Sequence, residues 1–175
     1  MTVNRLICTR FVMAILAAGT ARAQSAPPVK MGLWHGTTMT GITLPPEVVA
    51  KMKAMGRPVP GSEPQTIETE SCLTPEKWKE MFTKAQNQQN CKVLNLKQDS
   101  SGMSADIACE GGSNTAKGHV QMAFVSTEKV HGTMHMEAVS TRQPQPIVVD
   151  MTIDSAYQGA DCKGVSPDTP KVIMK

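Results

Sequence analysis

Catalytic signatures are missing from this chain: it has no Gly-x-Ser-x-Gly elbow, no His-Glu-x-x-His and no phosphate loop, so no nucleophile, zinc-protease site or nucleotide cradle is spelled out. Without a positioned nucleophile and base, the sequence reads as a protein that is not an enzyme, with no catalytic residue and no cofactor to name. Long apolar runs are missing as well. The run from Phe11 to Gly19 is far shorter than the roughly 20 residues a spanning helix needs, and no second run follows. That excludes a membrane anchor. Aromatic residues make up only 3% of the 175 positions, so other side chains must fill the core.

The beginning of the chain has the features of an export leader. Arg5 and Arg10 precede the apolar run, and Ala21-Arg22-Ala23 supplies the small-x-small pattern of a cleavage site before Gln24. Residues 1–23 are therefore read as a cleaved signal peptide, and the protein as periplasmic. Cys8 lies upstream of the apolar run, where a lipid-anchor signal would not place it. The chain carries a formal charge of +3, but Arg5, Arg10 and Arg22 leave with the leader and no acid does. The mature surface is neutral and mixed, which points to no nucleic-acid partner. One domain over residues 24–162, followed by an extended tail over 163–175, accommodates the remaining length.

Four cysteines remain in the mature chain: Cys72, Cys91, Cys109 and Cys162. An even number in an oxidising compartment predicts two disulfides, and no Cys-x-x-Cys spacing suggests metal thiolates.

Most of the mature chain reads as strands. Met31–Leu44 and Gln65–Cys72 are rich in Thr and Ile, and between them Pro46–Met55 has the spacing of a short helix. A second helix starts at "LTPEKWKEMFTKAQ". Thr74 is its N-cap and Pro75 its first residue, while Trp78, Met81, Phe82 and Ala85 share one face that predicts packing on a sheet. Two hairpins follow, "CKVLNLKQ" into "MSADIACE" and "GHVQMAFV" into "KVHGTMHMEAV", and then the alternating strand "IVVDMTIDSAY". The fold class is mostly β: an antiparallel up-and-down sheet of about seven strands, curled into a sandwich or partly closed barrel, with one amphipathic helix packed on it.

The stretch "VHGTMHMEAV" mixes two chemistries. In a strand, Val130, Gly132, Met134, Met136 and Ala138 share one side, while His131, Thr133, His135 and Glu137 share the other. Pairing Phe124 with Val130, Met122 with Gly132 and Val120 with Met134 gives one continuous apolar face, so the methionines read as core. The same register sets His119 opposite His135 and Lys117 opposite Glu137. His119 and His135, with Glu137, are thus candidate zinc or copper ligands, whereas His131 sits about 13 Å along the strand and cannot join them. Asp150 and Asp154 share a polar face and read as solubilising an exposed sheet.

Strand order also bears on the cysteines. Cys91 begins one strand and Cys109 ends its hairpin partner, which favours Cys91 with Cys109 and Cys72 with Cys162. Pairing Leu94 and Leu96 with Met103, Ala105 and Ile107 on one face, however, puts Cys91 and Cys109 on opposite faces unless a bulge intervenes. Cys72 with Cys91 and Cys109 with Cys162 remains the alternative.

"VKMGLWHGTTMT", "CLTPEKW", "NCKVLNLKQDSSGMSADIAC", the "HGTMHME" strand and the late "DC" together resemble domain-of-unknown-function family 3617, whose members are small exported bacterial proteins opening with Gly-Leu-Trp-Glu. The resemblance spans nearly the whole mature chain. His35 stands where the family has Glu, and His135 where it tends to have Thr, so a histidine metal site would be peculiar to this protein. The resemblance implies fold and location; it brings no activity, cofactor or site. The function read from the sequence is a disulfide-stabilised, non-catalytic β-domain binding a small apolar ligand or an envelope component. The alternative is copper or zinc binding through His119, His135 and nearby methionines.

Overall fold

The computed structural model describes residues 27–61, 63–86, 90–141 and 143–173. Residues 1–23, read from the sequence as a leader, lie outside these. In chain order the elements are β1 (Gly32–Thr43), α1 (Pro46–Ala54), β2 (Gln65–Leu73), α2 (Pro75–Gln86), β3 (Cys91–Gln98), β4 (Gly102–Gly111), β5 (Asn114–Ser126), β6 (Lys129–Ser140), β7 (Gln143–Gly159) and β8 (Lys171–Ile173). The eight strands form one antiparallel sheet in the order β3-β4-β5-β6-β7-β1-β2-β8. The sheet curls with its helix and does not close, so β3 and β8 are its edges. Consecutive hairpins build β3 to β7; the first strand then joins beside the seventh.

Local chemistry explains the helix starts. Pro46 occupies the first turn of α1, where a missing N–H is harmless, and Glu47 complements the dipole. At α2 the Lys77 backbone N–H donates to Thr74 Oγ1 at 3.1 Å, and Pro75 follows the cap. Its own backbone N–H and the Thr74 hydroxyl hold the Glu76 carboxyl below its ordinary pKa. Of the face expected to pack, Trp78 lies against Phe124 with ring centroids 5.8 Å apart. Met81 is 38% exposed and turns out. The Phe82 and Ala85 side chains lie outside the described residues.

Two clusters hold the sheet, one on each face. On the apolar face, Val29, Trp34 and Phe124 are buried, with Met31, Leu73, Trp78, Val130 and Tyr157 packed around them. Trp34 donates its indole N–H to the Lys30 carbonyl at 3.0 Å and meets Tyr157 edge-on at 5.9 Å. On the opposite face, Leu33, Cys72 and Val165 are buried beside Cys162. The segment after Cys162 packs back onto the sheet. Val165 covers Leu33, Lys77 Nζ pairs with Asp168 at 3.0 Å, and β8 adds to β2.

Disulfides join Cys72 to Cys162 and Cys91 to Cys109. The second pair meets directly across β3 and β4, and the register shifts between Leu94 and Lys97. Asn95 takes a left-handed φ of 50° there, and its side-chain amide donates to Asp106 Oδ2 at 2.8 Å. This bulge resolves the parity conflict. It also corrects the expected face: Leu94 pairs with Asp106, and Leu94 and Leu96 are 46% and 37% exposed.

Candidate functional site

The pairing of β5 with β6 sets which side chains share each face of the site. Phe124 lies opposite Val130, Met122 opposite Gly132, Val120 opposite Met134, His119 opposite His135 and Lys117 opposite Glu137. Because side chains alternate, this one register sorts methionines to one face and histidines to the other.

On the apolar face, Met103, Val120, Met122, Met134, Met136 and Met151 are half-buried; none belongs to the buried core. Met103 pairs with Met122, and Met134 with Met151. Gly118 makes room for this layer, since a Cβ there would run into the Met136 sulfur and the His135 carbonyl oxygen. A cleft of about 400 Å³ opens at one end, where Met103 and Met122 share the wall with polar groups that include Lys97, Asp99, Ser104 and Gln121. The methionines thus form a surface that remains partly accessible, not the closed core that alternation alone suggests.

The polar face carries three repeats of one motif. His119 Nδ1 lies 2.7 Å from Asp106 Oδ1, His131 Nδ1 is 2.7 Å from Asp154 Oδ1, and His135 Nδ1 is 2.7 Å from Asp150 Oδ1. Each pair joins directly opposed residues of neighbouring strands. His135 Nε2 also approaches Glu137 Oε1 at 3.6 Å, whereas His35 on β1 faces Glu68 at 3.8 Å. Among the described residues, no three or more His, Cys, Asp or Glu side chains are gathered as a ready metal cage. His119 and His135 stand side by side, with Glu137 one alternation along β6. His131 stands apart.

Asp106, Asp150 and Asp154 were not legible as histidine partners from their own strands. Their signal is the matched spacing: His131 and His135 are four apart, as are Asp154 and Asp150 on the antiparallel neighbour.

The hydrogen bond from Asp150, with smaller help from its charge and from Glu137, raises the His135 pKa above the usual imidazole value. A raised value means that the folded chain holds this proton more tightly than the unfolded chain does. The resulting stabilisation is complete below the unfolded pKa and is lost as pH rises through the folded one. Asp106 behaves oppositely: Asn95 first, then His119, hold it below the usual carboxyl value. In Asp150→Asn, the His135 ring is expected to titrate at lower pH than in the natural chain. Proton NMR of its Cε1–H checks this, and an unmoved midpoint would contradict the pairing.

No helix among the described residues is long and apolar enough to cross a membrane. No curated protein matches the chain. Among solved structures, an S-type phycobiliprotein lyase from Guillardia theta is similar at 7% identity over 75% of this chain and 90% of that one, with a TM-score of 0.28. A score so low carries no argument. The model of the family described as "Protein of unknown function (DUF3617)" matches residues 29–162, most of the chain, and the chain belongs to that family.

Proposed function

We infer that this is an exported, periplasmic, non-catalytic β-domain that binds a small apolar ligand against the methionine-lined face of its sheet. One observation carries the reading: Met103, Met122, Met134, Met136 and Met151 share a face and remain half-buried. Half-buried thioethers are flexible and polarizable, and they conform to ligands of varied shape. The cleft beside Met103 and Met122, about 400 Å³ and with a wall shared by polar groups such as Lys97 and Asp99, falls within the volume of small-molecule sites, roughly 300–1,000 Å³. Export is supported by the leader and by the two disulfides, which persist in oxidising compartments. A non-catalytic role is supported by where the polar groups stand. Each His–Asp pair is open to water on the sheet surface, with side-chain exposures between 44% and 67%, not in a cleft that could exclude it.

The test uses 8-anilinonaphthalene-1-sulfonate as an apolar probe of the mature chain. Saturable binding is expected, weakened at least tenfold in the double variant Met103→Gln, Met122→Gln, whose half-exposed positions should leave the melting temperature nearly unchanged. Equal binding by a folded double variant, or no saturable binding by the natural chain, defeats the reading.

A further inference from the structure

We propose that Asp106, His119, His135 and Asp150 form a surface site for a divalent copper or zinc ion, ligated by the Nε2 atoms of the two histidines. The row runs straight across β4, β5, β6 and β7, because the registers align Asp106 with His119, His119 with His135, and His135 with Asp150. Its order is acid, imidazole, imidazole, acid, and that order sets the direction of each ring. His119 and His135 both give Nδ1 to the outer carboxylate at 2.7 Å. The two nitrogens of an imidazole lie on opposite flanks of the ring, so a ring held outward by Nδ1 leaves Nε2 on the flank away from its carboxylate, the side on which the other histidine stands.

The carboxylates also fix the tautomer. With the hydrogen on Nδ1, each Nε2 keeps its lone pair, which is the carboxylate–histidine–metal arrangement of metal sites. Directly opposed Cβ atoms lie about 4.5–5.5 Å apart, a separation that two imidazoles can bridge through one ion with metal–nitrogen distances of about 2.0–2.1 Å. The His119 and His135 side chains are 54% and 53% exposed, so an ion reaches them without opening the fold. Glu137, 3.6 Å from His135 Nε2, is the nearest third donor, and water completes the shell. Lys117, opposite Glu137, is the cation that opposes the ion. Imidazole and carboxylate donors suit zinc and copper(II), with copper(II) the tighter by the general order of divalent metals. Met134 and Met136 point through the other face, so thioether ligation and copper(I) do not belong to this site.

His131 provides an internal control. It has the same hydrogen bond, to Asp154 at 2.7 Å, but its neighbour on β5 is Ala123.

The experiment is titration of the folded mature chain with zinc chloride, and separately with copper(II) chloride, in chelator-free buffer, followed by imidazole NMR and calorimetry. One ion per chain is expected. His119→Ala and His135→Ala should each lose at least tenfold in affinity, and His131→Ala should lose none. Asp106→Asn and Asp150→Asn, which remove positioning residues, should weaken binding by about ten- to a hundredfold, and the ¹⁵N shifts of the adjacent ring should report the altered tautomer in the metal-free chain. All five positions are exposed or half-exposed, and the melting temperature of each variant verifies folding. Unchanged affinity in folded His119→Ala or His135→Ala, equal loss in His131→Ala, or no saturable binding below millimolar metal overturns the proposal.

Discussion

Replacing Cys72 and Cys162 together by serine is expected to lower the unfolding free energy by about 4.5 kcal/mol, and replacing Cys91 and Cys109 by about 3 kcal/mol. The difference follows from the loop each bridge closes in the unfolded chain, with sequence separations of 90 and 18; the chain-entropy cost grows with the logarithm of that length. A second effect adds to the first only at the longer bridge. Cys72 and Cys162 are members of the cluster with Leu33 and Val165, so freeing them loosens the segment that covers Leu33, the most deeply buried side chain among the described residues at 2% exposure. For a chain of this size each kcal/mol moves the melting temperature by about 2–4 °C. The longer bridge should therefore be worth roughly 10 °C or more in a thermal melt followed by circular dichroism. Equal melting temperatures for the two double variants would contradict this account.

Trp34→Ala is expected to cost about 3–5 kcal/mol, the range for removing a buried aromatic side chain. Trp34 is 5% exposed and sits among Val29, Phe124, Met31 and Tyr157. Its removal opens a cavity under α2, ends the edge-on contact with Tyr157 and leaves the Lys30 carbonyl without its indole donor. Trp78→Ala should cost less, because Trp78 is only half-buried and packs on the cluster from outside. Urea denaturation of the three chains checks both magnitude and order. Domains of this kind are stable by about 5–15 kcal/mol in all, so the Trp34 variant should be close to unfolding at physiological temperature.

The strand pattern was legible where alternation is regular. "GHVQMAFV" and "KVHGTMHMEAV" fix their own register, because sliding by one would set Phe124 against His131, and the structure has the expected pairs. "CKVLNLKQ" misled for the same reason. Its Leu94 and Leu96 alternate perfectly around Asn95, and that alternation conceals a bulge that only the Cys91–Cys109 pairing demands. Strand β8 is three residues long, too short for any period to register. The histidine–aspartate pairs were hidden because each joins strands whose mutual register rests on backbone pairing across β4–β5 and β6–β7; the matched spacing of His131 and His135 with Asp154 and Asp150 becomes a signal only once that register is known. The methionine alternation reads as core in the sequence because a periodic pattern reports which side a residue faces, not whether anything covers that side.

Strand β1 lies between β7 and β2, with Thr38 paired to Ile153 on one side and Ile67 on the other. In time as well as in space, the earliest part of the sheet depends on the latest. A growing or emerging chain can zip β3 to β7 by local hairpins, which form quickly, but β1 stays half-paired until residues more than a hundred positions later arrive. Any shortened product ending before β7 would carry an open strand edge on β1 and an unpaired Cys72 thiol. Completion of the last long strand is thus the step that commits the whole molecule, and a chain cut short there should be recognised by proteases as unfinished.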